Sequence, residues 1–192
     1  WNAFLAGKSK YLEAKIASKI RNKDKNYNRS KKTNVLMLHI FKDSPFTNID
    51  RNRIFADYYI WVAETLKIIS KSDEDWILRK HPSATRWGED QKNIIKNIFF
   101  KLFNGKIPKN IYFEDNIKSN IDQFKQTKRL ITFSGNSHLE AACFGIRPII
   151  ISKTTLCNFE KNFYLKPTSI VDYENMILKG NWKKFTLDIK QQ

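Results

Sequence analysis

Leu130-Ile131-Thr132-Phe133-Ser134-Gly135-Asn136-Ser137-His138-Leu139-Glu140 is the stretch that decides the fold. Its apolar start belongs to a buried strand predicted over 129–133, and the polar residues after it lead into a helix predicted over 137–144. A strand that passes directly into a helix is typical of open α/β sheets, which bind ligands at such junctions. The stretch therefore predicts an α/β domain with a site at residues 134–140.

A second junction of the same kind lies earlier in the chain. The apolar run Trp76-Ile77-Leu78 is followed by Lys80-His81-Pro82-Ser83. Pro82 suits a turn because proline disfavours helix at the residue before it. Two polar junctions in one sheet predict a site for a phosphorylated ligand.

Short strands alternate with helices through the middle of the chain, as in Rossmann-like proteins. This alternation predicts right-handed crossovers and a parallel sheet of about five strands with helices on both faces. If the strand order is 3-2-1-4-5, the topological switch point lies between the first and fourth strands. The predicted strands are 34–41, 75–80, 111–113, 129–133 and 147–152. The predicted helices are 51–70 (capped by Asp50), 89–103, 116–126, 137–144 (ended by Gly145) and 171–178.

Length and composition fit one such domain with flanking segments. The chain has 192 residues, of which 41% are hydrophobic, and no apolar run approaches the roughly 20 residues that span a bilayer. Residues 1–33 are predicted to be an N-terminal helix and a basic linker, and 34–152 the Rossmann-like domain that carries the predicted ligand site. Residues 153–192 are predicted to be a C-terminal tail with a short helix.

The chain is strongly basic, with a net charge of +16. The lysines are spread along the sequence, and the one dense run, 21–32, is typical of a solvated linker. Dispersed charge of this kind disfavours nucleic acid as the partner, although a basic binding module for nucleic acid stays open as an alternative. Anionic lipids or a polyanionic glycan would also suit this charge, and would bind in a salt-sensitive way.

Several classes of site are disfavoured by missing spacing patterns. The histidines lack the spacing of a zinc site, so no metal is predicted. No G-x-G-x-x-G, Walker A or G-x-S-x-G sequence occurs, which disfavours dinucleotide oxidoreductases, P-loop kinases and α/β-hydrolases. Of the two cysteines, Cys143 is predicted to be a small core residue, and a reducing, cytoplasmic setting is the default.

The loop after the predicted strand 129–133 has the groups that a phosphate needs. Gly135 lets the backbone approach a ligand closely. The backbone N–H groups at the start of the next helix favour a phosphate, and nearby hydroxyls add donors. The candidate phosphate-binding residues here are Ser134, Gly135, Asn136, Ser137 and His138.

Glu140 lies one turn into the same helix and has two possible roles. Its carboxylate can accept hydrogen bonds from two ribose hydroxyls. Ser137-x-x-Glu140 is also the pattern of a capping box, which needs no ligand.

His81 is the candidate catalytic residue. An imidazole at the end of a strand can donate to a phosphate oxygen or carry a proton. Lys80 adds a cation and Ser83 a hydroxyl. The alternative is structural: the ring of His81 would satisfy a buried backbone carbonyl in the proline turn.

The loop after the first strand adds three further candidates, His39, Asp43 and Ser44. Asp43 beside Ser44 is also typical of a turn former. If the strand order is 3-2-1-4-5, this loop and the loops after strands two and four meet at one edge of the sheet. We therefore expect the three histidines of the chain, His39, His81 and His138, to converge there.

Together these residues resemble the C-terminal half of GT-B glycosyltransferases, chiefly bacterial capsule and lipopolysaccharide biosynthesis proteins, including those that use CMP-activated Kdo or sialic acid. Lys80-His81-Pro82-Ser83 looks like their HP motif. Residues 134–142, with Gly145-x-x-Pro148-Ile149, are similar to their phosphate loop and following helix. Phe55-Ala56-Asp57-Tyr58-x-x-Trp61 and Trp87-Gly88-Glu89 add to a likeness that covers about residues 35–152.

The resemblance implies half of a GT-B fold that binds a nucleotide-activated sugar, with CMP favoured over UDP or GDP and no cofactor. His81 would contact the nucleotide phosphate, Ser134 to Ser137 would cradle it, and Glu140 would hold the ribose. The partners implied are a glycan or glycolipid acceptor and an N-terminal acceptor-binding domain. The location implied is the cytoplasm, with peripheral association at the inner face of the membrane.

One departure from that family concerns the base. The acidic Asp/Glu-Asp/Glu-Gly motif expected to carry the general base of sialyltransferase-like members does not occur. Two alternatives to a glycosyltransferase therefore stay open. One is a sugar-nucleotide epimerase or hydrolase of GT-B architecture, and the other is a non-enzymatic basic module for nucleic acid or an anionic glycan.

Overall fold

The computed structural model describes residues 32–43, 53–114, 119–152 and 163–180. The predicted helix over 1–20, residues 21–31 of the basic linker, Ser44 and Asp50 lie outside the described residues.

The described part of the chain alternates strands and helices as predicted. The strands are β1 (Thr33–Met37), β2 (Trp76–Arg79), β3 (Ile111–Glu114), β4 (Thr127–Thr132) and β5 (Ile149–Ile150). The helices are α1 (Tyr58–Ile69), α2 (Gln91–Phe103), α3 (Asn120–Lys125), α4 (Ser137–Ala142) and α5 (Ile170–Leu178), with a 3-10 turn at Thr85–Trp87.

The five strands form one parallel sheet in the order β3-β2-β1-β4-β5. The predicted Rossmann-like parallel sheet of about five strands is confirmed, and its strand order is the one assumed above for locating the site. The chain runs outward from β1 to β3, then crosses back to β4 on the other side of β1. The reversal places a topological switch point between β1 and β4, where open α/β sheets bind their ligands.

Both faces of the sheet are buried, which explains why consecutive residues in the middle of the strands, such as Val35-Leu36 in β1 and Leu130-Ile131 in β4, are apolar. Leu36, Leu78 and Ile131 point to one face, where α1, α2 and α5 cover them. Val35 and Leu130 point to the other face and pack against α3 and α4. The prediction of helices on both faces is therefore confirmed.

Several predicted boundaries were wrong, and local hydrogen bonds show why. The helix predicted from residue 51 begins at Tyr58, because the Asp57 carboxylate accepts from the Ile60 N–H at 2.7 Å and caps it there. The helix predicted from 116 begins after Ser119, which caps it in the same way. The strand predicted over 147–152 shortens to Ile149–Ile150. Gly145 adopts the predicted left-handed conformation, with φ 70°.

Cys143 does not lie in the core as predicted, because it is exposed. It follows the last residue of α4, and the buried positions there are Ala141 and Ala142.

Among the described residues, no helix has the length and apolar character needed to cross a membrane. The described ranges also hold no group of three or more His, Cys, Asp and Glu side chains that could bind a metal ion.

A buried polar contact fixes α5 against α1. The indole Nε1–H of Trp61 donates to the Tyr173 hydroxyl at 3.1 Å, and the Thr65 hydroxyl lies 2.8 Å from the same oxygen. Thr65 donates its own proton to the Trp61 carbonyl. The Tyr173 hydroxyl therefore accepts from Trp61 and donates to Thr65 in the core.

Replacing Tyr173 with Phe should lower the free energy of unfolding by about 1–2 kcal/mol, because it leaves a buried indole N–H without its acceptor. Chemical denaturation measures this loss. Tyr59→Phe, at a half-buried position of α1, is the matched control and should change stability far less. Equal losses in the two variants would contradict a role for the hydroxyl contact.

Candidate functional site

Three polar side chains occupy equivalent positions after neighbouring strands. His39, His81 and Ser134 each come two residues after the last residue of β1, β2 and β4. Those last residues are in register, since Met37 pairs with Arg79 on one side and with Thr132 on the other. The sheet register therefore brings the three side chains to one edge, at the switch point.

The distances confirm that these three groups meet. The Ser134 hydroxyl lies 3.5 Å from His39 Nε2, and the rings of His39 and His81 are 5.8 Å apart. The His39 ring stacks on Tyr58 of α1 at 4.2 Å. His39 is thus the centre of the cluster, between His81 and Ser134.

His81 is oriented by its own turn. Its Nδ1 accepts a hydrogen bond from the Ser83 backbone N–H at 3.1 Å. A neutral imidazole that accepts at Nδ1 has its proton on Nε2, so Nε2–H is the group available to donate to a ligand. Within the described ranges, the contact that holds the ring is this accepted hydrogen bond from the Ser83 N–H.

The neighbours of His81 differ in exposure. Ser83 is buried. Its backbone N–H is the group that donates to the His81 ring. The Lys80 ammonium donates to the Thr85 hydroxyl at 3.1 Å, at the surface of the turn. The Lys80 ammonium is thus held at the surface of the turn, one residue before His81.

Burial makes both clustered imidazoles neutral at pH 7. Desolvation lowers the pKa of His39 to about 4, against the opposing effect of Asp43. Desolvation and the neighbouring His39 lower the pKa of His81 to about 4, although Glu89 and Asp43 oppose the shift. The two rings would bind an anion as neutral hydrogen-bond donors rather than as cations.

The loop after β4 has open space above its backbone. Gly135 has φ 98°, a conformation that favours glycine. A side chain at this position would meet no atom within 4 Å. Asn136 is exposed and Ser137 partly so, which leaves this part of the loop accessible to a ligand.

His138 does not join the other two histidines in their cluster. It is fully buried, its Nδ1–H donates to the Gly135 carbonyl, and its ring meets Tyr164 edge-on at 6.1 Å. Burial lowers its pKa. The contact with Gly135 supports the loop from below.

Glu140 forms no capping box with Ser137. Asn136 is the N-cap of α4 and makes no side-chain cap bond. The buried Glu140 carboxylate instead accepts a hydrogen bond from Asn120 and lies near the buried Arg79. Burial raises its pKa, while Asn120 and Arg79 oppose the shift.

Asp43 forms a turn, with its N–H donating to the Ile40 carbonyl at 3.1 Å. Its charge acts on both clustered imidazoles. Asp43 therefore forms a turn and also lies close enough to the site for its charge to act there.

Sequence reasoning missed the residue that joins two of the loops. Gln91 is fully buried and makes hydrogen bonds to the backbones of both His39 and His81. A signal was present: Gln91, Ile95 and Phe99 follow one another four residues apart on the buried face of α2. A polar residue on that apolar stripe needs internal partners.

Comparison with known proteins supports the fold. No family model matches the chain, and no curated protein matches it. A solved structure, the UDP-GlcNAc 2-epimerase of Methanocaldococcus jannaschii in complex with UDP-GlcNAc and UDP, matches with a TM-score of 0.51 and 17% identity. The match covers 95% of this chain and 46% of the epimerase, so the chain spans less than half of that protein's length. The chain thus has a Rossmann-like α/β fold that matches about half of a GT-B-like protein.

Proposed function

We propose that this chain is the nucleotide-sugar-binding domain of a glycosyltransferase that acts in bacterial surface polysaccharide biosynthesis. The observation that carries the proposal is the cluster of His39, His81 and Ser134 at the switch point of the sheet. Ligands bind at that position in open α/β sheets. Neutral imidazole and hydroxyl donors beside an open glycine loop suit the phosphates of a nucleotide.

In the proposed reaction, an acceptor hydroxyl oxygen attacks the anomeric carbon of the donor sugar. The bond from that carbon to the phosphate oxygen breaks, and the nucleotide leaves with the electron pair. His81 Nε2–H and the Ser134 hydroxyl donate to the phosphate oxygens as negative charge develops there, and Lys80 adds positive charge at the surface of the turn. The acceptor proton passes to a base on an acceptor-binding domain.

The finer identity of the ligands is part of the same proposal. We favour a CMP-sugar as donor and a glycan or glycolipid as acceptor, on the likeness of residues 80–83 to the HP motif. We propose that the protein works in the cytoplasm at the inner face of the membrane, and we assign no ribose contact to Glu140, because its buried carboxylate is held by Asn120. A basic chain with a net charge of +16 suits an anionic lipid surface.

A sugar-nucleotide epimerase is the second candidate, favoured by the match to the M. jannaschii protein. An epimerase turns over its nucleotide sugar without an acceptor. Incubation with UDP-GlcNAc alone, followed by proton NMR of the anomeric signals, separates the two candidates. A new anomeric signal without an acceptor supports the epimerase or hydrolase alternative, and an unchanged spectrum with nucleotide binding supports the transferase.

Calorimetric titration with CMP, UDP, GDP and ADP tests the proposed function. We expect one nucleotide to bind selectively and Ser134→Ala to weaken it by about 1 kcal/mol, or about fivefold, since one hydrogen bond is lost. Ser70→Ala, at the end of α1, is the control and should bind as the parent does.

Two outcomes of this titration count against the proposal. If none of the four nucleotides binds, the proposed function is contradicted. Binding that falls steeply with salt and is unchanged in Ser134→Ala would instead favour the basic binding module.

A further inference from the structure

One buried side chain connects two loops of the proposed site. Gln91 Oε1 accepts from the His81 backbone N–H at 2.8 Å, and Gln91 Nε2 donates to the His39 carbonyl at 2.8 Å. The second proton of Nε2 is directed to Glu89 Oε2 at 3.1 Å. The acceptor and both donor protons of this amide are therefore used inside the protein.

The same network continues to the surface. Glu89 is buried, and its Oε1 accepts from the Lys42 backbone N–H at 2.5 Å. The Lys42 ammonium donates to the Gly88 carbonyl at 3.0 Å. The loop that follows β1 is thus joined to the loop that follows β2 at three points, through Gln91, Glu89 and Lys42.

We propose that Gln91, held by Glu89, is a positioning residue that sets the separation of the His39 and His81 rings in the nucleotide site. The inference rests on the proposed function. A fully buried amide costs free energy unless it is hydrogen-bonded, and a satisfied buried network specifies one geometry. Gln91 contacts the main chain of both histidines, so a change in its length or donors moves both rings.

The test compares Gln91→Met with Gln123→Met. Methionine has about the same length as glutamine but no amide. Gln123 is also buried, but it lies on α3 and its amide is directed to Thr127, which makes it the matched control. Long-range proton–nitrogen NMR of the histidine rings in the nucleotide-free protein reports the tautomer and surroundings of each ring.

We expect Gln91→Met to shift the ring signals of His39 and His81, to leave those of His138 in place, and to weaken nucleotide binding about tenfold or more. Gln123→Met should do neither. Should Gln91→Met fail to fold, Glu89→Gln provides the second test. In this variant an amide nitrogen, which cannot accept, faces the Gln91 Nε2 donor, while the amide oxygen still accepts from the Lys42 N–H. The ring signals of His39 and His81 should again shift.

Unchanged ring signals in the folded variants would overturn the inference. Shifted signals with unchanged nucleotide affinity would also overturn it, because Gln91 would then be only structural. Both differ from failure of the proposed function, which is seen as absence of nucleotide binding in the parent protein.

Discussion

Lowering the pH from 7 to 4.5 should decrease the free energy of unfolding by about 2–3 kcal/mol for each of His39 and His81. Burial lowers the pKa of both rings from 6.5 to about 4 in the folded protein. In the unfolded chain the rings take up protons as the pH falls through 6.5, whereas in the folded protein they stay neutral until about 4. The unfolded state therefore binds more protons in this window, and stability falls with pH.

Chemical denaturation at several pH values between 7 and 4.5 measures this loss. The double variant His39→Phe, His81→Asn is the comparison. Phe keeps an aromatic ring to stack on Tyr58, and the Asn oxygen can accept from the Ser83 N–H as the imidazole Nδ1 does. The double variant should lose much less stability on acidification. Parallel curves for parent and variant would show that the clustered rings are not the cause.

The sheet and its order were predictable because they depend on local patterns. Apolar runs such as Trp76-Ile77-Leu78 alternate with amphipathic helices. Because the crossover connections between parallel strands are right-handed, few sheet topologies fit this alternation. The convergence of His39, His81 and Ser134 follows from the same argument, since parallel strands end at one edge.

The network that holds the site together was not predictable in this way. Gln91 bonds to main-chain groups 10 and 52 residues away, and no local pattern specifies such partners. Glu140 shows the same limit: the local Ser-x-x-Glu pattern fits a capping box, but Asn120, 20 residues earlier in the chain, takes its carboxylate. The hydrogen-bond partners of buried polar side chains often come from residues distant in the sequence, because each buried group needs a partner and the fold determines which one lies within reach.

His81→Asn should weaken nucleotide binding about 10- to 100-fold, which corresponds to the loss of one hydrogen bond to a charged group. Asn retains an acceptor for the Ser83 N–H, so the turn over 81–84 should persist and stability at pH 7 should change little. What the variant lacks is the Nε2–H that we propose donates to the phosphate. Calorimetric titration with the nucleotide that the parent protein selects measures the loss.

His81→Gln is the matched variant, because its longer side chain can bring an amide N–H toward the position of Nε2. It should bind more tightly than His81→Asn, although less tightly than the parent. Affinity of His81→Asn equal to that of the parent would contradict the donor role of His81.

The pH dependence of binding gives an independent check. The ligand for this check is a nucleotide sugar, because its diester phosphates do not titrate near neutrality. Because His81 has a pKa of about 4 and acts as a neutral donor, the parent's affinity should stay level between about pH 8 and 6, whereas a histidine with its ordinary pKa would bind the donor more tightly as it became charged.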